Sequence, residues 1–261
     1  MPQLRDVTAI RTILAADPAW SIYALGDLAP GFVERSEWFC PPDGAQALAL
    51  LFRGFDTPVL FAMGEADGVA AMLDEIGRES VVYLHVRPEI VPVLARRYQI
   101  TELKEMCRMV LDWETHRPAA CDGVVRLSAA DLGDLERLYA DGRESGEAPD
   151  FFFPPMLDDG VFFGVREGRE LVAAAGTHLV APGEGVAAVG NVYTCRDRRG
   201  RGLAAKTTGA VVNELAGLTV ALNVSRKNET AIRVYERLGF KRHCDCYEGT
   251  GRAPTGTRGF S

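Results

Sequence analysis

The sequence is poor in the residues that build metal sites and disulfide frameworks. Its 261 residues include four histidines and six cysteines, and no cysteine belongs to a C-x-x-C pair or has a histidine at zinc-ligand spacing. Because such pairs are the usual signature of a structural zinc site, no metal is expected, and the scattered cysteines are expected to be free thiols.

Long apolar runs are also missing. Glycine, proline or charge interrupts every apolar stretch well before the roughly 18 residues that a membrane-spanning helix needs. The N-terminal residues MPQLRDVTAIR carry an aspartate and alternating polar residues where a signal peptide has an uninterrupted apolar core. The sequence therefore predicts a cytoplasmic protein with no membrane partner.

The sequence also lacks an excess of positive charge. The 29 lysines and arginines are outnumbered by 36 aspartates and glutamates, which gives a net charge of −7 at pH 7. An acidic protein repels the phosphates of nucleic acids, so no nucleic-acid partner is expected, and small cationic substrates are weakly favoured.

The length allows about two domains.

Against this acidic background, one short segment is strongly basic. Residues 187–206, AAVGNVYTCRDRRGRGLAAK, place four arginines in a turn with one acid, Asp197. The apolar run before the turn predicts a buried strand, and a helix is predicted to begin at Leu203. Gly200 and Gly202 remove side chains between the two elements, so the backbone N–H groups of the first helical turn can bind an anion such as a pyrophosphate.

Three phosphate-binding motifs overlap in this turn. Gly200, Gly202 and Ala205 satisfy the dinucleotide fingerprint, but Asn223 stands where an acidic ribose ligand belongs. Ala205 also breaks the phosphate-binding NTPase loop, which needs its second glycine there. The third motif, R-x-x-G-x-A at 199–204, fits without exception.

A second signature follows in the run NVSRKNETAIRVYERLGF at 223–240. In this order and at this spacing, the two segments closely resemble the signatures of the GNAT superfamily of acyl-CoA-dependent N-acyltransferases. The VYT-x-x-x-x-RGRGLA and LNV…LGF forms are similar to the GNAT subgroup that has two halves in tandem. The resemblance is close from about residue 123 to 248 and covers the first half only in outline.

The resemblance implies an α/β (α+β) fold of two tandem GNAT-like domains, each a mixed, mostly antiparallel twisted sheet flanked by helices. The apolar pattern agrees, because strands and helices alternate as βαβαβ before residue 113. A degenerate N-terminal domain is expected at 1–116 and a catalytic domain at 122–261, with a polar linker between them. Residues 31–44 are expected to be irregular. The last 14 or so residues, which are polar and rich in glycine and threonine, are expected to form a loose tail or a late edge strand.

The first domain is expected to have lost its site. When the halves are overlaid, the turn at 64–68 falls on the arginine-rich loop, where Glu65 and Asp67 would repel a pyrophosphate. Ala95 falls on Tyr235. One cofactor site per chain, in the second half, is therefore expected.

For the second half, the resemblance implies acetyl-CoA as co-substrate and no metal. The cofactor's pantetheine would pair with the strand before the loop as if it were an added strand, and its pyrophosphate would take loop N–H groups and arginine charge. The expected cofactor-binding residues are Val192, Tyr193, Thr194, Arg199, Gly200, Arg201, Gly202, Leu203, Ala204, Asn228 and Tyr235. Asn228 has an equal alternative role as a helix N-cap.

The expected catalytic residues are Tyr235 and His178. The resemblance makes Tyr235 the general acid for the departing thiolate, against the alternative of a core aromatic. The strand before the loop offers no carboxylate, so the general base is open: His178 is the candidate, and it is weighed evenly against a structural histidine. Glu147 and Asp150, in the loop predicted to cover the acceptor, are candidates by position only. The phenylalanines 151–153 of that loop are expected mainly in the core.

The predicted function is transfer of an acetyl group to a primary amine of a small-molecule or peptide acceptor, by direct attack in a ternary complex. The alternative is a non-catalytic acyl-CoA-binding regulator. Tyr235 beside an intact loop favours the enzyme. The chain is expected to be a monomer or a homodimer.

Overall fold

The computed structural model describes residues 3–41, 47–76, 79–118, 121–149 and 151–254. The chain divides into two compact units. The first contains Met1–Cys107, Ser225–Lys227 and Cys244–Ser261, and the second contains Arg108–Val224 and Asn228–His243. Each unit is a mixed sheet flanked by helices, so the predicted fold class is confirmed.

The first unit follows the predicted βαβαβ order. Its helices are α1 (Val7–Leu14), α2 (Ile22–Gly26), α3 (Ala66–Glu75) and α4 (Val91–Ala95), and its strands are β1 (Ser36–Phe39), β2 (Leu48–Phe52), β3 (Val59–Met63), β4 (Val81–Val86) and the first part of β5 (Gln99–Leu111). Strands β1 to β3 pair antiparallel, whereas β3 and β4 are parallel. Aliphatic side chains of β3 and β4, such as Leu60 and Leu84, form one core with Val69 and Met72 of α3.

The prediction that residues 31–44 are irregular is wrong for the part that forms β1. Trp38 lies in this strand opposite Leu50 of β2, and its side chain is only 3% exposed. The flanking prolines and glycines suggested a loop. Pairing with β2 and burial of the tryptophan stabilise a strand there, and neither is visible in the local sequence.

The second unit contains the strand predicted before the basic turn and the helix predicted after it. Its helices are α5 (Leu132–Arg143), α6 (Met156–Asp159), α7 (Leu203–Asn213) and α8 (Glu229–Arg237), and its strands are β6 (Val124–Arg126), β7 (Phe163–Glu167), β8 (Glu170–Ala181), β9 (Val186–Thr194), β10 (Thr219–Ser225) and the first part of β11 (Phe240–Arg252). Strands β6 to β9 pair antiparallel, and β10 pairs parallel with β9. Leu135 and Leu138 of α5 pack with Phe162 and Tyr193 in the core of this unit.

Strand β11 is divided between the units, because its residues from Cys244 onward belong to the first. There, 247–252 pair antiparallel with β4, and β11 lies between β4 and β5. The prediction of a loose tail or an edge strand is therefore wrong for 248–252, and the part of it that covers 255–261 lies outside the described residues. Glycine suits an inner strand here, because an added Cβ at Gly251 would lie 3.1 Å from the Cβ of Tyr98.

Candidate active site

The parallel pairing of β9 and β10 stops before either strand ends. Its register joins Val186–Val189 to Thr219–Leu222, whereas β9 continues to Thr194 and β10 to Ser225. Along the last residues of β9, one backbone edge pairs with β8 and the other has no partner among the described strands. This open edge can accept an extended ligand as an additional strand.

A bulge lies at the open end of β9. Gly190 pairs with Gly176 and Tyr193 with Ala174, so Asn191 and the following residue share one opposite residue on β8. Asn191 has a φ of +55°, a left-handed conformation that asparagine adopts more readily than most residues. The bulge turns the backbone of β9 at the point where β10 leaves it.

The loop after β9 leads into a helix whose first N–H groups are available. Gly202 is the N-cap of α7 with a φ of +75°, no side chain caps the helix, and no acid lies in its first turn. The first helical hydrogen bond runs from the N–H of Lys206 to the carbonyl of Gly202. The three preceding N–H groups therefore have no helical acceptor, which makes this end of α7 suitable for an anion.

Each arginine of the loop forms an ion pair with a carboxylate. The pairs are Arg196 with Asp141, Arg198 with Asp197 and Glu167, Arg199 with Glu147, and Arg201 with Glu167. The sequence showed one acid in the turn because the other three come from α5, the acceptor loop and β7. The folded loop therefore has more of its positive charge balanced than the local sequence suggests. All these side chains are at least partly exposed, and such pairs are weak enough for a phosphate to replace a carboxylate.

Family comparison agrees with this geometry. Residues 130–240 match the model of the acetyltransferase (GNAT) family. This segment is a GNAT acetyltransferase domain. It contains the open edge of β9, the bulge, the glycine loop and both helices that follow.

Solved structures match nearly the whole chain. A Novosphingobium aromaticivorans protein ascribed to the GNAT family is 23% identical and matches 79% of this chain and 89% of its own, with a TM-score of 0.60. A Drosophila protein matches 98% and 99% at 14% identity, with a TM-score of 0.71. A tandem GNAT protein from the clavulanic acid biosynthesis pathway matches 97% and 98% at 15% identity, with a TM-score of 0.56. At these identities the similarity shows the fold, and the predicted arrangement of two tandem GNAT-like domains is confirmed. No curated protein matches the sequence.

The predicted pantetheine-binding residues of the GNAT domain lie at the end of β9. Val192 is half-buried, and Tyr193 is buried with its hydroxyl donating to Asp141 over 2.9 Å. The Oγ1 atom of Thr194 is buried and has no hydrogen-bond partner. A buried hydroxyl without a partner costs about 1–3 kcal/mol, so this atom marks a position where a polar ligand group would be stabilising. The open edge, this hydroxyl and the uncapped helix together fit acetyl-CoA.

Two further predicted residues lie on or next to α8. The Oδ1 atom of Asn228 accepts a hydrogen bond from the N–H of Ala231 over 3.0 Å, so its N-cap role is confirmed, and its cofactor contact stays a prediction. Tyr235 is 8% exposed, with its ring centroid 6.0 Å from that of Phe240. Its hydroxyl makes no hydrogen bond to any described residue, and burial raises the pKa of the phenol to about 12.

His178 lies at a second bulge, on β8. Thr177 pairs with Val189 and Leu179 with Ala188, so His178 is the extra residue between them. Its imidazole lies against the backbone of Gly190 in β9, where an added Cβ would collide with Nε2. Burial, and to a smaller degree the charge of Arg108, lower the pKa of His178 to about 4. The imidazole is therefore neutral and close to the bulged strand at physiological pH.

The acceptor loop contributes differently from the sequence expectation. Glu147 is held by Arg199 and by the hydroxyl of Ser145, and these two interactions lower the pKa of its carboxyl. Asp150 lies outside the described residues. Phe152 packs in the core as predicted, but Phe151 and Phe153 are 36% and 40% exposed, so the core prediction is wrong for them. The Phe151 ring lies 5.6 Å from that of His178.

Tyr139 is a site residue that sequence reasoning missed. Its hydroxyl donates to the carbonyl oxygen of Asn191 over 2.8 Å, which ties α5 to the bulge. Its ring lines a cavity of about 280 Å³ between α5 and the acceptor loop, with Phe152 and the charged Glu136 and Arg143 among the other lining residues. In the sequence, Tyr139 is one of several apolar positions of a helix, and nothing in that pattern points to a carbonyl 52 residues away.

No group of three or more His, Cys, Asp or Glu side chains in the described ranges is arranged to hold a metal ion. Within the same ranges, every helix is too short or too polar to cross a bilayer.

Proposed function

We propose that the protein is an acetyl-CoA-dependent N-acetyltransferase with one working site, located in the GNAT domain. The observation that carries the proposal is the open edge of β9, which ends at the uncapped N-terminus of α7. An extended amide chain with a pyrophosphate at one end would satisfy both features at once. The family and the fold support an acyltransferase.

The residues that would hold the cofactor fall into two groups. Backbone groups of Val192, Tyr193 and Thr194 would pair with the pantetheine amides and with the acyl carbonyl. N–H groups between Arg199 and Ala204 would bind the pyrophosphate, and Arg199 and Arg201 would add charge after exchanging their carboxylate partners for phosphate oxygens. When bound, acetyl-CoA supplies a thioester whose carbonyl carbon an amine can attack.

Tyr235 would stabilise the departing thiolate by donating a hydrogen bond to it. A thiol has an ordinary pKa of about 8.5, whereas burial raises the pKa of this phenol to about 12. The phenol is therefore the weaker acid, and it stays protonated throughout the working range. We infer that it stabilises the departing thiolate as a hydrogen-bond donor and keeps its own proton.

His178 would accept a proton from the attacking amine, directly or through a water molecule. Its position beside Gly190 and the exposed Phe151 brings a neutral imidazole to the open end of β9. A conjugate acid with a pKa of about 4 makes it a weak base. This weakness, together with the lack of a carboxylate on β9, is the observation that favours the alternative of an acyl-CoA-binding regulator without turnover.

The first domain, at 1–116, is proposed to be an inactive copy that leaves 122–261 as the catalytic domain. Its helix α3 begins after Glu65 and carries Asp67 in its first turn, whereas the first turn of α7 carries no acid. Carboxylates at a helix N-terminus occupy the electrostatic position that a phosphate would need. We further propose a cytoplasmic monomer or homodimer that acts on a small-molecule or peptide amine and does not bind nucleic acid.

The test is thiol release from acetyl-CoA with a panel of amines: amino acids, polyamines, aminoglycosides and a peptide with a free N-terminus. Calorimetry with CoA runs in parallel. We expect one CoA bound per chain, amine-dependent thiol release, and an acetylated product by mass spectrometry. Binding without any acetylated product would favour the regulator. Failure to bind CoA would exclude both functions, and two CoA molecules per chain would contradict an inactive first domain.

A further inference from the structure

We propose that Tyr139 is a positioning residue for acyl transfer, which acts by holding the bulge of β9 at Asn191. The inference rests on the proposed function, because it concerns the same strand edge. Tyr139 lies on α5, outside both GNAT signatures. By this proposal it fixes the backbone that would bind the thioester.

The bulge needs an external restraint. Asn191 has a φ of +55°, which is unfavourable for a residue with a side chain. Its own side chain provides little support: Oδ1 is buried without a hydrogen-bond partner, and Nδ2 meets only the sulfur of Met156, at 3.6 Å. A strand with regular pairing would avoid this conformation, so some other group must stabilise it.

Tyr139 provides that restraint. Its hydroxyl donates to the main-chain carbonyl of Asn191 over 2.8 Å, and both residues are nearly fully buried. The ring is fixed by edge contacts with Phe152 and Tyr193, at centroid distances of 5.4 and 6.3 Å. Burial raises the pKa of this phenol, so it remains a donor at any working pH.

The position of this hydrogen bond gives it a catalytic consequence. The bulge lies between the last residues that pair with β10 and the free edge at 192–194. If the register of β9 changed by one residue, the N–H and C=O groups at 192–194 would no longer point toward the position proposed for the pantetheine. The glycine loop and the N-terminus of α7 would stay in place, so the pyrophosphate would still bind while the reacting carbonyl would be misplaced.

Tyr139→Phe removes the hydroxyl and keeps the ring, its packing and the lining of the cavity. With acetyl-CoA and the panel amine that the unchanged protein acetylates fastest, we expect kcat to fall about 10- to 100-fold, with the KM for acetyl-CoA nearly unchanged. Hydrogen–deuterium exchange should become faster in a peptide covering 187–195. Trp113→Phe is the matched control, because Trp113 also donates to a backbone carbonyl, that of Leu218, over 2.8 Å. Trp113→Phe should change neither kcat nor the exchange rate at 187–195.

A pair of substitutions at Asn191 separates the backbone from the side chain. Asn191→Gly allows the left-handed conformation and should retain most of the activity, whereas Asn191→Ala disfavours it and should resemble Tyr139→Phe. Thermal unfolding checks that each variant is folded. Equal loss in the glycine and alanine variants would overturn the proposal, because the side chain rather than the bulge would then matter.

Two further outcomes would also overturn it: an unchanged kcat in Tyr139→Phe, or a lower kcat with unchanged exchange at 187–195. If the unchanged protein acetylates no amine, the proposed function fails separately. The exchange measurement then still decides whether Tyr139 holds the bulge, since it needs no substrate.

Discussion

The guanidinium of Arg199 lies 2.8 Å from the carboxylate of Glu147. This ion pair joins the loop that would bind pyrophosphate to the loop predicted to cover the acceptor. A cofactor phosphate that binds Arg199 would compete with this carboxylate for the guanidinium. We propose that cofactor binding and the position of the acceptor loop are coupled through these two side chains.

Glu147→Gln should strengthen CoA binding. The substitution removes a negative charge close to the incoming pyrophosphate and replaces the carboxylate partner of Arg199 with a neutral amide oxygen, which competes less strongly. Because the pair is exposed and screened, we expect a gain of about 2- to 5-fold in affinity at low salt, which becomes smaller as salt is added. Calorimetry measures it. Glu144→Gln, a nearby exposed glutamate with no ion pair among the described residues, should have no effect. Weaker binding in Glu147→Gln would contradict the competition.

Gly202→Val should abolish detectable CoA binding while the protein stays folded. An added Cβ would face open space in the structure, so it would clash only with a bound ligand. The left-handed φ of +75° strains a β-branched residue, which should lower the melting temperature modestly. Gly185→Val controls for that strain, because Gly185 has a φ of +70° and also faces open space. Equal CoA affinity in the two variants would show that the cofactor binds elsewhere.

Tyr235→Phe should lower kcat about 100-fold and leave the Kd for CoA nearly unchanged. The ring and its contact with Phe240 are retained, so only the hydroxyl is tested. With a phenol pKa of about 12, no loss of rate on the alkaline side up to about pH 10 should come from this group. Tyr98→Phe, a buried tyrosine of the first unit, serves as control. Full activity in Tyr235→Phe would make it a core aromatic.

His178→Gln should change the response to acid. The folded-state pKa of about 4 is below the ordinary value of 6.5, so the unfolded chain binds more protons between these two values. Stability is therefore fully retained above about pH 6.5 and falls as the pH decreases toward 4. We expect a weaker dependence of the unfolding free energy on pH in the variant, measured by urea titration at several pH values.

The same variant tests catalysis. If His178 accepts the amine proton, the kcat/KM of the unchanged protein should decline with an apparent pKa near 4, and this limb should disappear in His178→Gln together with most of the rate. An altered stability profile with an unaltered rate profile would make the histidine structural and leave Glu147 to be tested.

The sequence predicted those parts of the site that are local in the chain. The strand before the loop, the glycines and the start of α7 follow from a contiguous segment whose periodicity and composition agree. The acid partners Asp141, Glu147 and Glu167 could not be predicted, because each is brought to the loop by a different element. The sequence around an exposed acid does not indicate which arginine it will pair with in the folded protein.

The bulge of β9 and its bond to Tyr139 were hidden for a related reason. A bulge is a mismatch between two strands, so it depends on the register of β8 as much as on Asn191 itself. Likewise, β11 pairs with β4 through residues 247–252, whose polar and glycine-rich composition suggested a loose tail or an edge strand rather than an inner strand. Pairing partners far apart in the chain decided both features.

The pairing of β11 with β4 also affects the order in which the two units can fold during synthesis. A ribosome produces 244–252 after everything from residue 1 to 243, and domains usually fold as they emerge, the N-terminal one first. Here the first unit lacks an inner strand until residues 244–252 have been made, so the edge of β4 is expected to stay exposed while the GNAT domain is being synthesised. We therefore expect the first unit to finish folding only after the GNAT domain has been synthesised.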